Sequence, residues 1–182
     1  EYLLTLDYDT YFTKNQVTRL IQLMQENPEA DAIIPLQIKR ECDSPLIGKV
    51  NEKQRPLLEI PLIEFEKELM PVSGGHFGLT IFRVSALKKL KKPWFLPVPD
   101  SNSGWDEGRL DEDIYFWRNF CESGLQAYLA PKIGLAHLQL MATMPGRLEN
   151  GLKPIHQYIS ELEKNGLPAW CEPIPSKIKV IK

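Results

Sequence analysis

Two carboxylates separated by a single residue, Asp7 and Asp9 of Asp7-Tyr8-Asp9, stand directly after the apolar run Tyr2-Leu3-Leu4-Thr5-Leu6. Carboxylate oxygens are the hard ligands that a divalent cation and its attached phosphates require. Where a strand turns out of a sheet, both side chains can converge on one such ligand. A second acidic cluster, Asp111-Glu112-Asp113, precedes a stretch of helical spacing and so falls in a first helical turn. Acids there are favoured on structural grounds, through capping and the helix macrodipole, each worth roughly 0.3 to 1 kcal/mol. That accounts for two of the three and leaves one carboxylate for proton transfer. His137 follows a short apolar strand pattern and offers an imidazole, which serves equally as a structural hydrogen-bonding group or as a ligand. Gly74-Gly75-His76 and Trp105, in polar or glycine-rich surroundings, are candidates for contact with a bulky polar substrate.

These groups need elements to hold them. Leu3, Leu4 and Leu6 read as a buried parallel strand whose C-terminal end is where open α/β sheets bind ligands. Thr13-Lys14-Asn15-Gln16 fits a capping box, and Val17, Leu20, Ile21 and Met24 follow at helical spacing until Asn27-Pro28. With a second strand in 30–36, the first third reads β-α-β, a parallel pair joined by a right-handed crossover. Residues 42–68 are irregular, with short edge strands expected over 57–65. The turn 71–78 feeds a strand over 79–83; its glycines suit close approach of a ligand or, equally, a tight turn. A short helix over 84–90 and a proline-stiffened segment over 92–99 lead to the polar loop 100–108, which carries Trp105. The helix beginning at Asp111 shows Ile114, Trp117 and Cys121 as its buried face and stops at Gly124. Two short strands, 126–129 and 133–136, are split by Pro131, and the second delivers His137. A last helix, 152–164, places Leu152, Ile155, Ile159 and Leu162 on one face.

With 182 residues and 43% hydrophobic content, the chain supports a single domain over 1–182, with 139–182 as a C-terminal helical extension. A formal net charge of -2, with Lys and Arg scattered, gives no footprint for nucleic acid. No apolar run reaches the roughly 18 to 20 residues of a transmembrane segment. The three cysteines are widely spaced, without a CxxC pair, which suggests neither a disulfide framework nor zinc. A reducing, cytoplasmic setting is the expectation.

The order of a strand ending in Asp7-Tyr8-Asp9, then Gly74-Gly75, then Glu112-Asp113 opening a helix, then a strand ending at His137, resembles the GT-A fold of nucleotide-sugar glycosyltransferases. The similarity covers about residues 1–138. It implies an α/β, Rossmann-like mixed sheet flanked by helices. The chain opens at Glu1 inside a strand pattern, so the expectation is a C-terminal fragment of that fold, with the nucleotide-binding half upstream and the isolated piece inactive. The resemblance also implies a hexosyltransferase-type enzyme moving a sugar from a UDP-sugar to a hydroxyl acceptor, a glycan. A diphosphate leaving group needs a hard cation, and Asp9 with His137 would hold Mn or Mg, the imidazole favouring Mn. Asp7 joins Asp9 in donor binding. The resemblance makes Asp113 the catalytic base, which would give inversion by in-line attack, and assigns Gly74, Gly75, His76, Trp105 and Glu112 to the acceptor. Two other readings stay open. Leu4 to Tyr11 also looks like the opening motif of haloacid-dehalogenase-type phosphatases, and a non-catalytic carbohydrate-binding scaffold would use Trp105, Trp94 and His76 as stacking surfaces.

Overall fold

The capping box forms as its sequence implies: Thr13 Oγ1 accepts the Gln16 backbone N–H at 3.4 Å, and Gln16 Oε1 accepts that of Thr13 at 2.7 Å. The helix it opens closes at Asn27, whose backbone and side-chain amides both donate to the Leu23 carbonyl. The computed structural model describes residues 1–40, 44–48, 60–102, 104–106, 108–148 and 151–166. They fall into two compact units, Glu1–Leu138 and Gln139–Lys182.

The first unit contains, in order, β1 (Tyr2–Leu4), β2 (Thr10–Tyr11), α1 (Lys14–Glu26), β3 (Ala32–Leu36), β4 (Ile47–Gly48), a 3-10 turn (Leu62–Glu66), β5 (Met70–Val72), β6 (Gly74–Gly75), β7 (Ile81–Arg83), α2 (Val84–Leu87), α3 (Glu112–Glu122), β8 (Ala127–Gly134) and β9 (Ala136–His137). Its five-stranded sheet has the order β1-β7-β3-β8-β5, with β3 and β8 parallel and the other neighbours antiparallel. This is a mixed α/β architecture. Alternation along the central strands sends successive side chains to opposite faces. Ile33 and Ile81 join Leu20, Leu23 and Met24 of α1 on one face, while Ile34 and Phe82 join Phe116, Trp117 and Phe120 of α3 on the other. Strands covered on both faces must be apolar throughout, hence the unbroken Ala32-Ile33-Ile34. Each large side chain buried there contributes roughly 1.5 to 3 kcal/mol.

Several sequence expectations are corrected. β1 is not a parallel partner of β3; β7 lies between them, antiparallel to both, and β1 is at the sheet edge among the described residues. Leu3 and Leu6 are accordingly 44% and 55% exposed rather than buried. Pro131 does not split β8. The ladder with β5 ends at Leu129, so the missing N–H costs no bond there, and the register against β3 shifts just beyond, between Pro35 and Leu36. The buried face of α3 is Phe116, Trp117 and Phe120, whereas Ile114 is 51% exposed, because six aromatic rings on and around this helix pack together and set its rotation. Within 57–65, residues 62–65 belong to the 3-10 turn; 57–59, like Cys42, lie outside the described residues.

The second unit is a hairpin of β10 (Met141–Leu148) and β11 (Gly151–Tyr158) followed by α4 (Ile159–Asn165). The helix expected over 152–164 therefore exists only in its second half, and the extension is not wholly helical. Eight residues of β11 find antiparallel partners in β10, from Leu148↔Gly151 to Met141↔Tyr158, and this non-local pairing overrides the local 3.6-residue spacing.

Candidate functional site

In the first unit the chain folds around a cleft of about 920 Å³, whose walls include Asp7, Asp9, Gly75, Glu112, Asp113 and His137. Backbone pairing assembles it. Thr10 N–H donates to the Asp7 carbonyl at 3.3 Å, a turn that swings the two carboxylates out of the line of β1. The short β2–β9 ladder then sets Thr10 opposite His137, and Leu138 N–H donates to the Asp9 carbonyl at 2.7 Å. Asp9 and His137, 128 residues apart in sequence, are thus fixed side by side, with His137 Nε2 3.3 Å from Asp9 Oδ2. Both side chains are largely buried, at 17% and 13% exposure.

His137 Nδ1 lies 3.0 Å from the Ile38 carbonyl, which can only accept, so Nδ1 carries a proton. In the neutral ring Nε2 is then a bare lone pair turned towards a carboxylate oxygen. Such a pair is stable only with a positive charge between or beside its members, whether a proton, a guanidinium or a metal. Arg40 Nη1 stands 3.5 Å from the same Asp9 oxygen. Two ligands at about 2.1 Å from one cation and at right angles are about 3 Å apart, so this N,O pair fits a cation as it stands, and the carbonyl behind the imidazole is the partner a ligating His ordinarily has. Among the described residues no group of three or more His, Cys, Asp or Glu side chains gathers for a metal, so phosphate oxygens and water would have to complete the coordination. The Asp7 carboxyl is pushed above its ordinary value, first by burial, then by Asp9 beside it and by Asp113 across the cleft, with His137 acting in the opposite sense.

The three acids at the start of α3 divide their tasks differently from the expected capping scheme. Asp111 occupies the N-cap position but makes no side-chain cap; its carboxylate accepts Arg109 Nε–H at 2.8 Å instead. Asp113 Oδ1 accepts the Ile114 N–H at 2.7 Å. Glu112 and Asp113 are exposed, and both line the cleft.

Packing explains the glycines better than ligand approach does. A Cβ on Gly74 would lie 2.5 Å from Trp117 Cγ and 2.7 Å from Trp117 Cβ, and one on Gly75 would meet Ile34 at 3.0 Å. The Trp117 indole N–H donates to the Gly75 carbonyl, locking β6 to α3. His76 lines the cleft, yet its ring is committed to the fold: Nε2–H donates to the Pro35 carbonyl at 2.8 Å and Nδ1 accepts Gly78 N–H at 3.0 Å. Burial, the largest influence, holds it below the usual histidine value, hence neutral. Trp105 is not brought to the cleft; it is 59% exposed on its loop, and Arg109 Nη1 donates to its carbonyl. Trp94 packs against the core.

Gln37, Lys39, Arg40 and Arg109 were not singled out by motif, yet all four line the cleft. The first three follow the C-terminal end of β3, the place where α/β sheets bind ligands, and that positional rule would have found them.

No family model matches the chain, and no curated protein matches it. Among solved structures it is similar to A197 from STIV, at 17% sequence identity and a TM-score of 0.42, over 82% of this chain and 70% of that one.

Proposed function

We propose that this chain carries a metal-dependent, inverting glycosyltransferase site of the GT-A kind, transferring a hexose from a UDP-sugar to a hydroxyl of a glycan acceptor. The observation that supports this reading is the convergence in one cleft of Asp7, Asp9, Glu112, Asp113 and His137, drawn from three distant segments. A divalent cation, Mn or Mg, held by Asp9 and His137 would supply charge neutralisation to the departing diphosphate. Asp7 would bind the donor beside Asp9. Asp113 Oδ2 would take the proton of the acceptor hydroxyl as its oxygen attacks the anomeric carbon; the new C–O bond forms as the sugar–phosphate bond breaks, and the diphosphate leaves on the opposite face. Glu112, exposed on the same helical turn, would hold a neighbouring hydroxyl of the acceptor. Its side chain and that of Asp113 diverge by about 100° around the axis, so the two cannot serve one hydroxyl together.

Calorimetric titration with Mn tests the site: Asp9→Asn and His137→Ala should each weaken binding by about 10-fold or more. Mn affinity equal to that of the wild type in both variants would sink the assignment. Product anomeric configuration, read by NMR after transfer from a UDP-sugar, tests inversion.

A further inference from the structure

Resting on that reading of Asp9 and His137, we infer that Arg40 is a charge placeholder: it neutralises Asp9 while no cation is bound and transfers to the diphosphate when one arrives. Three observations carry this. Asp9 Oδ2 is contested, with His137 Nε2 at 3.3 Å and Arg40 Nη1 at 3.5 Å. Asp9 is 13% exposed whereas Arg40 is 51% exposed, so the carboxylate is fixed and the guanidinium is free to leave. Arg40 also directly follows a stretch held by backbone bonds, Lys39 N–H to the Ser44 carbonyl at 2.9 Å and Leu46 N–H to the Gln37 carbonyl at 2.8 Å. The Ile38 carbonyl of that stretch orients the His137 ring.

A cation with Asp9 Oδ2 as a ligand at about 2.1 Å would stand within about 4 to 5 Å of the guanidinium, and two positive charges at that distance repel. Cation binding by itself must therefore displace Arg40 and lose its pairing with Asp9. When a diphosphate enters with the cation, the displaced guanidinium gains a planar, bidentate partner. Arg40 thus opposes binding of the metal alone and favours metal and diphosphate together, a positive coupling between two ligands at one cleft. A site built this way binds a free cation more weakly than it binds the cation together with a diphosphate.

The test is calorimetry of the whole chain with Mn alone, with pyrophosphate alone, and with pyrophosphate at saturating Mn, in wild type, Arg40→Gln and Arg40→Lys. Arg40→Gln should bind Mn alone about 3- to 10-fold tighter and bind pyrophosphate in Mn about 3- to 10-fold more weakly, while Arg40→Lys stays near wild type in the first measurement. Circular dichroism confirms that this exposed substitution leaves the fold intact. Mn affinity that is unchanged or weakened in Arg40→Gln overturns the placeholder and leaves the metal site standing. Wild-type protein whose Mn uptake is absent, or indifferent to Asp9→Asn, overturns both. Pyrophosphate binding that needs Arg40 but no Mn would also overturn the exchange, by making the guanidinium the permanent cation.

Discussion

Gly74→Ala adds one methyl group at the point where β6 meets α3, and the geometry says how costly it is. The new Cβ would lie 2.5 Å from Trp117 Cγ and 2.7 Å from Trp117 Cβ, both far inside contact distance. Rotating the indole could relieve the first clash but not the second, because the Trp117 Cβ is fixed by the helix backbone. The ring is in any case held, stacked on Phe77 at 5.5 Å and Phe82 at 5.7 Å and hydrogen-bonded to the Gly75 carbonyl. Relief therefore requires moving α3 away from β6, which loosens the Phe116, Trp117 and Phe120 layer. Overpacking of a core costs about 1 to 3 kcal/mol, and a site unable to rotate away belongs at the upper end, about 2 to 3 kcal/mol. For a unit of this size that lowers the melting midpoint by about 6 to 15 °C. Urea unfolding followed by tryptophan fluorescence should show the midpoint fall with an unchanged slope. The displaced helix carries Glu112 and Asp113, so any transfer activity should fall as well. Had Gly74 been needed only for ligand approach, the variant would keep its stability and lose binding. A stability loss under about 0.5 kcal/mol would refute the packing account.

In transfer-competent protein, Asp113→Asn should leave Mn binding nearly intact while lowering transfer by roughly 100-fold or more, whereas Asp111→Asn should leave stability close to that of the wild type, since it loses only the half-exposed pair with Arg109; normal turnover of Asp113→Asn would exclude it as the base. Saturating Mn should stabilise the fold by about 2.7 kcal/mol at 100 times the dissociation constant, read as a melting midpoint above that in NaCl of equal ionic strength, and Asp9→Asn should remove that gain. His76 is neutral in the fold because burial lowers its affinity for a proton, so below pH 6.5 the unfolded chain gains a proton that the folded chain refuses. Stability should then fall on acidification by up to about 1.4 kcal/mol per pH unit from this residue, and a chevron series between pH 5 and 7 on His76→Gln should show that slope reduced. Asp7 works in the opposite sense: its carboxyl is raised in the fold, so its contribution to stability is lost as pH rises through that raised value, and Asp7→Asn should be the more stable protein at neutral pH, as thermal melts would show.

What the residues revealed in advance was whatever short-range chemistry decides. The Thr13–Gln16 capping box, the α1 stripe of Leu20 and Met24 and the apolar β3 depend on neighbours three or four positions away, or on burial of a whole strand, and the structure has them at those places. The sequence pairs Asp9 with His137 by expecting each to end a strand; His137 does end β9, whereas Asp9 precedes β2, and the β2–β9 ladder sets the two side by side. The failures are long-range. Nothing local in Tyr2-Leu3-Leu4 says that β7 will slide between it and β3, and nothing in Leu152-Lys153-Pro154-Ile155 says that β10 will recruit it from a helix. Asp111 illustrates a subtler limit: its type and position are right for a cap, but a guanidinium two residues away outcompetes a backbone N–H for the carboxylate.

The charge arrangement in the cleft presses the same way as the geometry. Among the described residues, five carboxylates, those of Asp7, Asp9, Asp111, Glu112 and Asp113, share its walls with three constant cations, Lys39, Arg40 and Arg109. Arg109 is engaged with Asp111 and Arg40 with Asp9, so Asp7, Glu112 and Asp113 face the cavity against Lys39. The Asp7 carboxyl is raised chiefly by its burial, and the like charges of Asp9 and Asp113 add to that in the same sense. A nucleoside diphosphate entering such a cleft unaccompanied would add further negative charge to a wall already carrying more than it can neutralise. A positively charged acceptor would be drawn in by the same field, but it would leave the Asp9–His137 pair to a proton or to Arg40 for its compensating charge. On the proposed reading a divalent cation would answer both at once: it would take the lone pair and the carboxylate as ligands, and it would bring the positive charge that a diphosphate needs in order to approach.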